Sequence, residues 1–112
     1  MSVLAALVLV LTIAGMASGA VLVRGLRTDA GRDVWRPKRV DIAVGQTVKW
    51  KSVEGSHTVT AYGGNWSKNV ILTQGETTRR TFNSAGTYKF RCTFHSTLSN
   101  GSCSGMCGKV LV

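Results

Sequence analysis

Acid is scarce in this chain. Five Asp and Glu stand against fourteen Lys and Arg, a formal net charge of +9 at pH 7. Proline occurs once, at Pro37, and histidine twice, at His57 and His95. No charged or histidine side chain occurs between Met1 and Val23. No helix-period segment, internal repeat or low-complexity stretch follows residue 20. Each absence excludes something. A chain of 112 residues holds one domain and excludes a large multidomain enzyme. Few, scattered acids argue against paired-carboxylate chemistry. A composition 44% hydrophobic and 17% charged is not that of a disordered tail.

The uncharged N-terminus reads as a targeting segment. Val3 to Ile13 is apolar except for Thr12, and the small residues Ala14, Gly15, Ala17, Ser18, Gly19 and Ala20 follow. That order is the pattern of a secretory signal cleaved near Ala20, although the start lacks Lys or Arg. Uncleaved, the stretch is about long enough to span a bilayer as an anchor. Residues 1–20 are therefore expected to be a signal peptide or N-terminal membrane anchor, and 21–112 the folded domain. The domain is expected to be exported: periplasmic, extracellular or at the cell surface. All three cysteines, Cys92, Cys103 and Cys107, lie near the C-terminus. Outside the cytosol such thiols pair or bind metal, and an odd count leaves one to be explained.

The remainder alternates with a period of two. Val40, Ile42 and Val44 alternate with Asp41 and Ala43. Val48 and Trp50 alternate with Lys49 and Lys51. His57, Val59 and Ala61 alternate with Thr58 and Thr60. Val70–Leu72, Thr77–Phe82 and Lys109–Val112 read as further strands, and Val21–Leu26 as a first strand or the tail of the apolar segment. The run Tyr88, Phe90, Cys92, Phe94 against Lys89, Arg91 and Thr93 is the cleanest alternation and places Cys92 and Phe94 inward. Residues Thr28 to Asp33 read as a loop, and so does the polar stretch Ser96 to Gly105. Short strands separated by Gly- and Asn-containing turns predict an all-β, antiparallel sandwich or barrel.

The strand pattern brings chemistry together. Cys92 faces inward, His95 lies just past its strand end, His57 is on the inward face of its own strand, and Met106 follows the polar loop. One thiolate, two imidazoles and one thioether form the ligand set of a trigonal Cys–His–His copper site with a weak axial Met. Both histidines, and the one methionine outside the apolar segment, fall on this single predicted site.

The sequence resembles the cupredoxins, specifically the plastocyanin/azurin family of small blue copper proteins. The matching stretches are Trp35-Arg36-Pro37, Val44-Gly45-Gln46-Thr47-Val48-Lys49-Trp50, Ser56-His57-Thr58-Val59, Ala85 to His95, and Gly105-Met106-Cys107-Gly108-Lys109-Val110. The resemblance implies a Greek-key β-sandwich with one copper ion, cycling between Cu(I) and Cu(II), at one end. It implies His57, Cys92 and His95 as equatorial ligands, Met106 as axial ligand, and electron passage through His95. Ten residues, Ser96 to Gly105, separate His95 from Met106, more than in plastocyanin-like members. A disulfide between Cys103 and Cys107 is expected to clip that stretch, holding Met106 near the metal and leaving Cys92 reduced. Thr58 is the expected neighbour of the Cys92 sulfur.

The expected function is that of an exported type 1 copper protein, a monomer carrying single electrons between redox partners, and not an enzyme. With both histidines on metal, no imidazole base remains, and four protein ligands leave no open position. Copper storage or delivery is the alternative. A structural zinc site of Cys92, His95, Cys103 and Cys107 ranks behind it, because it leaves His57 without a role. Among the basic residues, Arg24, Arg27, Arg32, Arg36, Lys38 and Arg39 cluster early. They form a solvated face, a dock for an acidic redox partner, or a contact to an anionic polymer or membrane. No nucleic-acid motif accompanies them. The aromatic residues Trp35, Trp50, Phe82, Tyr88, Phe90 and Phe94 read as core; Trp66 reads equally as core or surface.

Overall fold

The computed structural model describes residues 19–112. The expected signal or anchor lies outside these residues, apart from its last two positions. The described chain forms nine strands and no helix: β1 (Ala20–Arg27), β2 (Asp33–Arg36), β3 (Arg39–Asp41), β4 (Thr47–Ser52), β5 (His57–Tyr62), β6 (Asn69–Leu72), β7 (Thr77–Thr81), β8 (Thr87–Ser99) and β9 (Ser102–Leu111). One sheet runs β2-β1-β4-β7 and the other β3-β9-β8-β5-β6. The all-β expectation holds. Purely antiparallel pairing does not: β1 runs parallel to β4 and β3 parallel to β9, so both sheets are mixed.

Alternation packs the inner faces. In β4, Val48, Trp50 and Ser52 are buried while Thr47, Lys49 and Lys51 are partly exposed. Val23 of β1, Trp35 of β2, Val59 of β5, Phe90 of β8 and Val110 of β9 join Trp50 in the core. Phe90 meets Trp35 and Trp50 edge-on, with centroids 5.7 and 5.3 Å apart. Each such side chain contributes about 1.5–3 kcal/mol by leaving water. Trp66 resolves toward the core. It stacks on Trp50 at 6.2 Å, and its Nε1–H donates to the Lys89 carbonyl.

Four expectations are corrected. Asp33 opens β2, a strand too short for its alternation to be read. The strand expected over Val40–Val44 stops at Asp41, and Val44 is exposed. Phe94 is also exposed, because the β8 alternation breaks after Cys92. The stretch Ser96 to Gly105 is a β-hairpin and not a loop. Ser99 pairs with Ser102 around Asn100-Gly101, whose φ values of 50° and 79° fit the tight turn that Asn-Gly favours.

Between the two ladders of that hairpin lies an irregularity. Arg91 pairs with Cys107 and Ser96 with Gly105, so the four residues Cys92–His95 stand opposite Met106 alone. The extra chain in β8 bends the strand and re-aims its side chains, the structural role of a bulge. Polar bonds fix its shape. The Thr93 N–H donates to Thr58 Oγ1 at 2.7 Å, and Arg91 Nη1 donates to Ser96 Oγ at 3.0 Å.

Candidate metal centre

The bulge and the start of β5 converge at one end of the sandwich. Cys92 Sγ lies 3.8 Å from His57 Nδ1 and 3.4 Å from His95 Nδ1. One donor atom from each of the three residues lies within 4.8 Å of the others. Cys92 and His57 are fully buried, whereas the His95 side chain is 30% exposed. Met106 is buried, on β9, in the position facing the bulge. The structure thus brings the four residues singled out from the sequence to one place.

Each imidazole is oriented from behind. His57 Nε2 lies 2.7 Å from the Glu54 carbonyl oxygen. A carbonyl only accepts, so Nε2 carries the proton and Nδ1 turns its lone pair toward Cys92. The outer Nε2 of His95 lies 3.4 Å from Asp33 Oδ2. Asp33 also pairs with Arg27 at 3.4 Å and is nearly buried. The Thr58 backbone N–H donates to Cys92 Sγ at 3.3 Å, placing Thr58 where it was expected.

Two glycines make room. A Cβ on Gly25 of β1 would stand 2.9 Å from His57 Cδ2 and 3.1 Å from Trp35 Cζ3. The strand must be bare there for His57 to lie across it. Gly105 has φ +103°, and a Cβ on it would stand 2.5 Å from the His95 carbonyl oxygen.

Cys103 and Cys107 are joined, with Cα atoms 6.2 Å apart. Residues four apart in a straight strand would be about 13 Å apart, so β9 bends at the left-handed Gly105 to let them meet. This rules out the zinc alternative, since two of its four thiolates and imidazoles are consumed. Cys92 is the free cysteine. Sequence reading missed Asp33, taken as loop, along with Gly25 and the Glu54 carbonyl. A lone Asp in a polar stretch carries no local signal, and β2 alone places it beside His95.

A buried free thiol, two imidazoles with Nδ1 lone pairs available to it and a buried thioether define a cupredoxin. Soft sulfur suits Cu(I), and imidazole suits both oxidation states. Residues 25–112 match the family described as copper binding proteins, plastocyanin/azurin family, and the chain belongs to it; its cofactor is copper. No curated protein sequence matches the chain. Solved structures do. A reduced amicyanin variant aligns at 28% identity and a TM-score of 0.64, covering 88% of this chain and 87% of that one. Pseudoazurin from Methylobacterium extorquens AM1 aligns at 24% identity and 0.65, covering 84% and 75%. A purple cupredoxin from Nitrosopumilus maritimus aligns at 23% identity and 0.62, covering 82% and 98%. The latter two show likeness of fold.

Proposed function

We propose that His57 Nδ1, Cys92 Sγ and His95 Nδ1 hold one copper ion, with Met106 as a weak axial ligand. The protein then serves as a one-electron carrier between redox partner proteins outside the cytosol. The carrying observation is the convergence of one buried thiol and two imidazole nitrogens within 4.8 Å in the β-sandwich. Bound copper supplies a centre that alternates between Cu(I) and Cu(II). The residues do the rest. The Glu54 carbonyl and Asp33 hold the two rings, so the donor atoms stay near one geometry in both oxidation states. Little rearrangement is then needed when an electron moves. The Thr58 N–H withdraws charge from the Cys92 sulfur, favouring the reduced state.

His95 is the partly exposed member of the set, so its outer edge is the contact point for a partner. Four protein donors leave substrate no open position, which supports a carrier over an enzyme. The chain also aligns with a copper-containing nitrite reductase from Thermus scotoductus SA-01, but over only 22% of that chain. The apolar, uncharged stretch before β1 supports export, with residues 1–20 as leader or anchor.

Cu(II) added to the protein should produce intense visible absorption from the cysteine thiolate and an EPR signal of a thiolate-bound copper. Cys92→Ser should abolish the absorption; its survival there would defeat the assignment. Stopped-flow exchange with a small redox protein then separates carrier from store. Sluggish exchange would favour copper storage or delivery.

A further inference from the structure

The outer face of the sheet β2-β1-β4-β7 carries unbalanced charge. Val23 and Gly25 of β1 point inward, so Arg24 points out. Its ladder partners are Arg36 on β2 and Lys51 on β4. Three basic side chains thus stand in one row across three adjacent strands, about 5 Å apart. Lys49 and Arg79 form a like-charged pair in the next row, on the same face. Every outward position on these four strands is basic, apolar or threonine. Among the described residues the ion pairs are Arg27–Asp33, Arg39–Asp41 and His95–Asp33, and none involves these five. Like charges directly across a ladder destabilise a sheet. The opposite sheet has a basic row of its own, Arg39, Lys109 and Lys89 across β3, β9 and β8, but there Arg39 pairs with Asp41 and Lys89 lies over the Tyr62 ring.

We propose that this face is a docking surface for an anionic membrane, laying the domain flat on the headgroups. Three observations favour a lipid surface over a soluble acidic partner. First, the cavities around Lys38–Lys109, Trp66–Tyr88 and Asp33–His95 are lined by none of the five basic residues, and of the basic and apolar residues on this face only Val34, on the edge strand β2, borders one of them. Second, Leu22 and Leu26 flank Arg24 on the outward side of β1, and Val34 lies opposite Leu26. Apolar side chains interleaved with cations suit the boundary between headgroups and acyl chains, where basic residues meet phosphates. Third, Arg24 is the first charged residue after an uncharged, largely apolar stretch of 23 residues that runs directly into β1. Gly25, the residue after Arg24, points to the opposite side of the sheet, where it abuts His57.

The test is the partition of the full chain between vesicles of phosphatidylcholine alone and vesicles of phosphatidylcholine mixed with phosphatidylglycerol. The ratio of the two partition coefficients cancels any contribution from the apolar N-terminus. The wild-type chain should prefer the anionic vesicles, and salt should erase the preference. The triple variant R24Q/R36Q/K51Q should reduce it about a hundredfold, and R24Q alone about fivefold. Unchanged melting temperatures would show that both variants fold. The variant K38Q/K89Q/K109Q, with Lys89 and Lys109 on the opposite sheet and Lys38 in the β2–β3 connection beside them, should retain most of the preference. An equal loss in that variant would overturn the proposal, because net charge alone would then suffice. Equal binding to both vesicle types would overturn it too. So would tighter binding of a short DNA duplex or of polyglutamate than of anionic vesicles, which would point to nucleic acid or an acidic protein.

Discussion

Gly105→Ala is the substitution that most directly tests how the hairpin builds the site. Position 105 has φ +103°, outside the ordinary range of a residue with a Cβ. Holding alanine there costs about 1–3 kcal/mol of backbone strain. The new Cβ would stand 2.5 Å from the His95 carbonyl oxygen and 3.1 Å from Ser96 Cα. Both are backbone atoms of the paired strand, and no side-chain rotation relieves the contact. Forcing the strands apart costs about another 1–3 kcal/mol. The lower freedom of alanine in the unfolded chain returns about 0.4–1 kcal/mol. The net destabilisation is about 3 kcal/mol, a fall in melting temperature of about 12–20 °C for a domain of this size. Thermal unfolding of the metal-free protein, followed by circular dichroism, reads it without the contribution of bound copper. Gly31→Ala is the control: φ is +80°, but nothing lies within 4 Å of the new Cβ, so only strain applies. The copper EPR spectrum should also change in Gly105→Ala, because the displaced strand carries Met106. If the two variants melt within a few degrees of each other, the contact with His95 does not constrain the hairpin.

Three other expectations follow from the same geometry. Gly25→Ala has no unfavourable φ to adopt, so its effect falls on His57 and Trp35; copper affinity should drop about tenfold with a stability loss near 1 kcal/mol. A chelator competition titration measures the first, and an affinity equal to wild type would show that His57 is not confined by β1. Asp33→Ala removes the carboxylate from the outer nitrogen of His95 and should weaken copper binding about 10–100-fold; undiminished affinity would mean that the ring is held by packing alone. Glu76 is held below the usual carboxylate range because the Thr73 N–H donates to its Oε1 at 2.7 Å. The unfolded chain therefore takes up the Glu76 proton first on acidification, and this contribution is lost as pH falls through the depressed value. Acid titration of stability should show a shallower decline in Glu76→Gln, and identical curves would remove Glu76 from the account.

The metal donors were legible because their chemistry is rare in this chain. With two histidines and one methionine outside the apolar segment, inventory and alternation converged on His57, Cys92, His95 and Met106. The disulfide followed from the odd cysteine count and the resemblance. What escaped was non-local. Phe94 continues an alternation that the bulge interrupts, and a bulge is defined by its partner strand, not by its own residues. The Ser96–Gly105 hairpin was read as a loop because its polar faces lack an apolar stripe, although Asn100-Gly101 was a turn signal in plain view. Asp33 and Gly25 act on histidines far away in sequence.

By itself the sequence determined the all-β class, the copper donor types and the location of the charge after Val23, since each depends on residue identity and local period. Only the tertiary structure decided that β1 and β4 run parallel, that four residues of β8 face one of β9, and that Arg36, Arg24 and Lys51 form one row. Strand pairing is set by the joint burial of two sheets, an energy shared among residues distant along the chain. No stretch read alone can carry it.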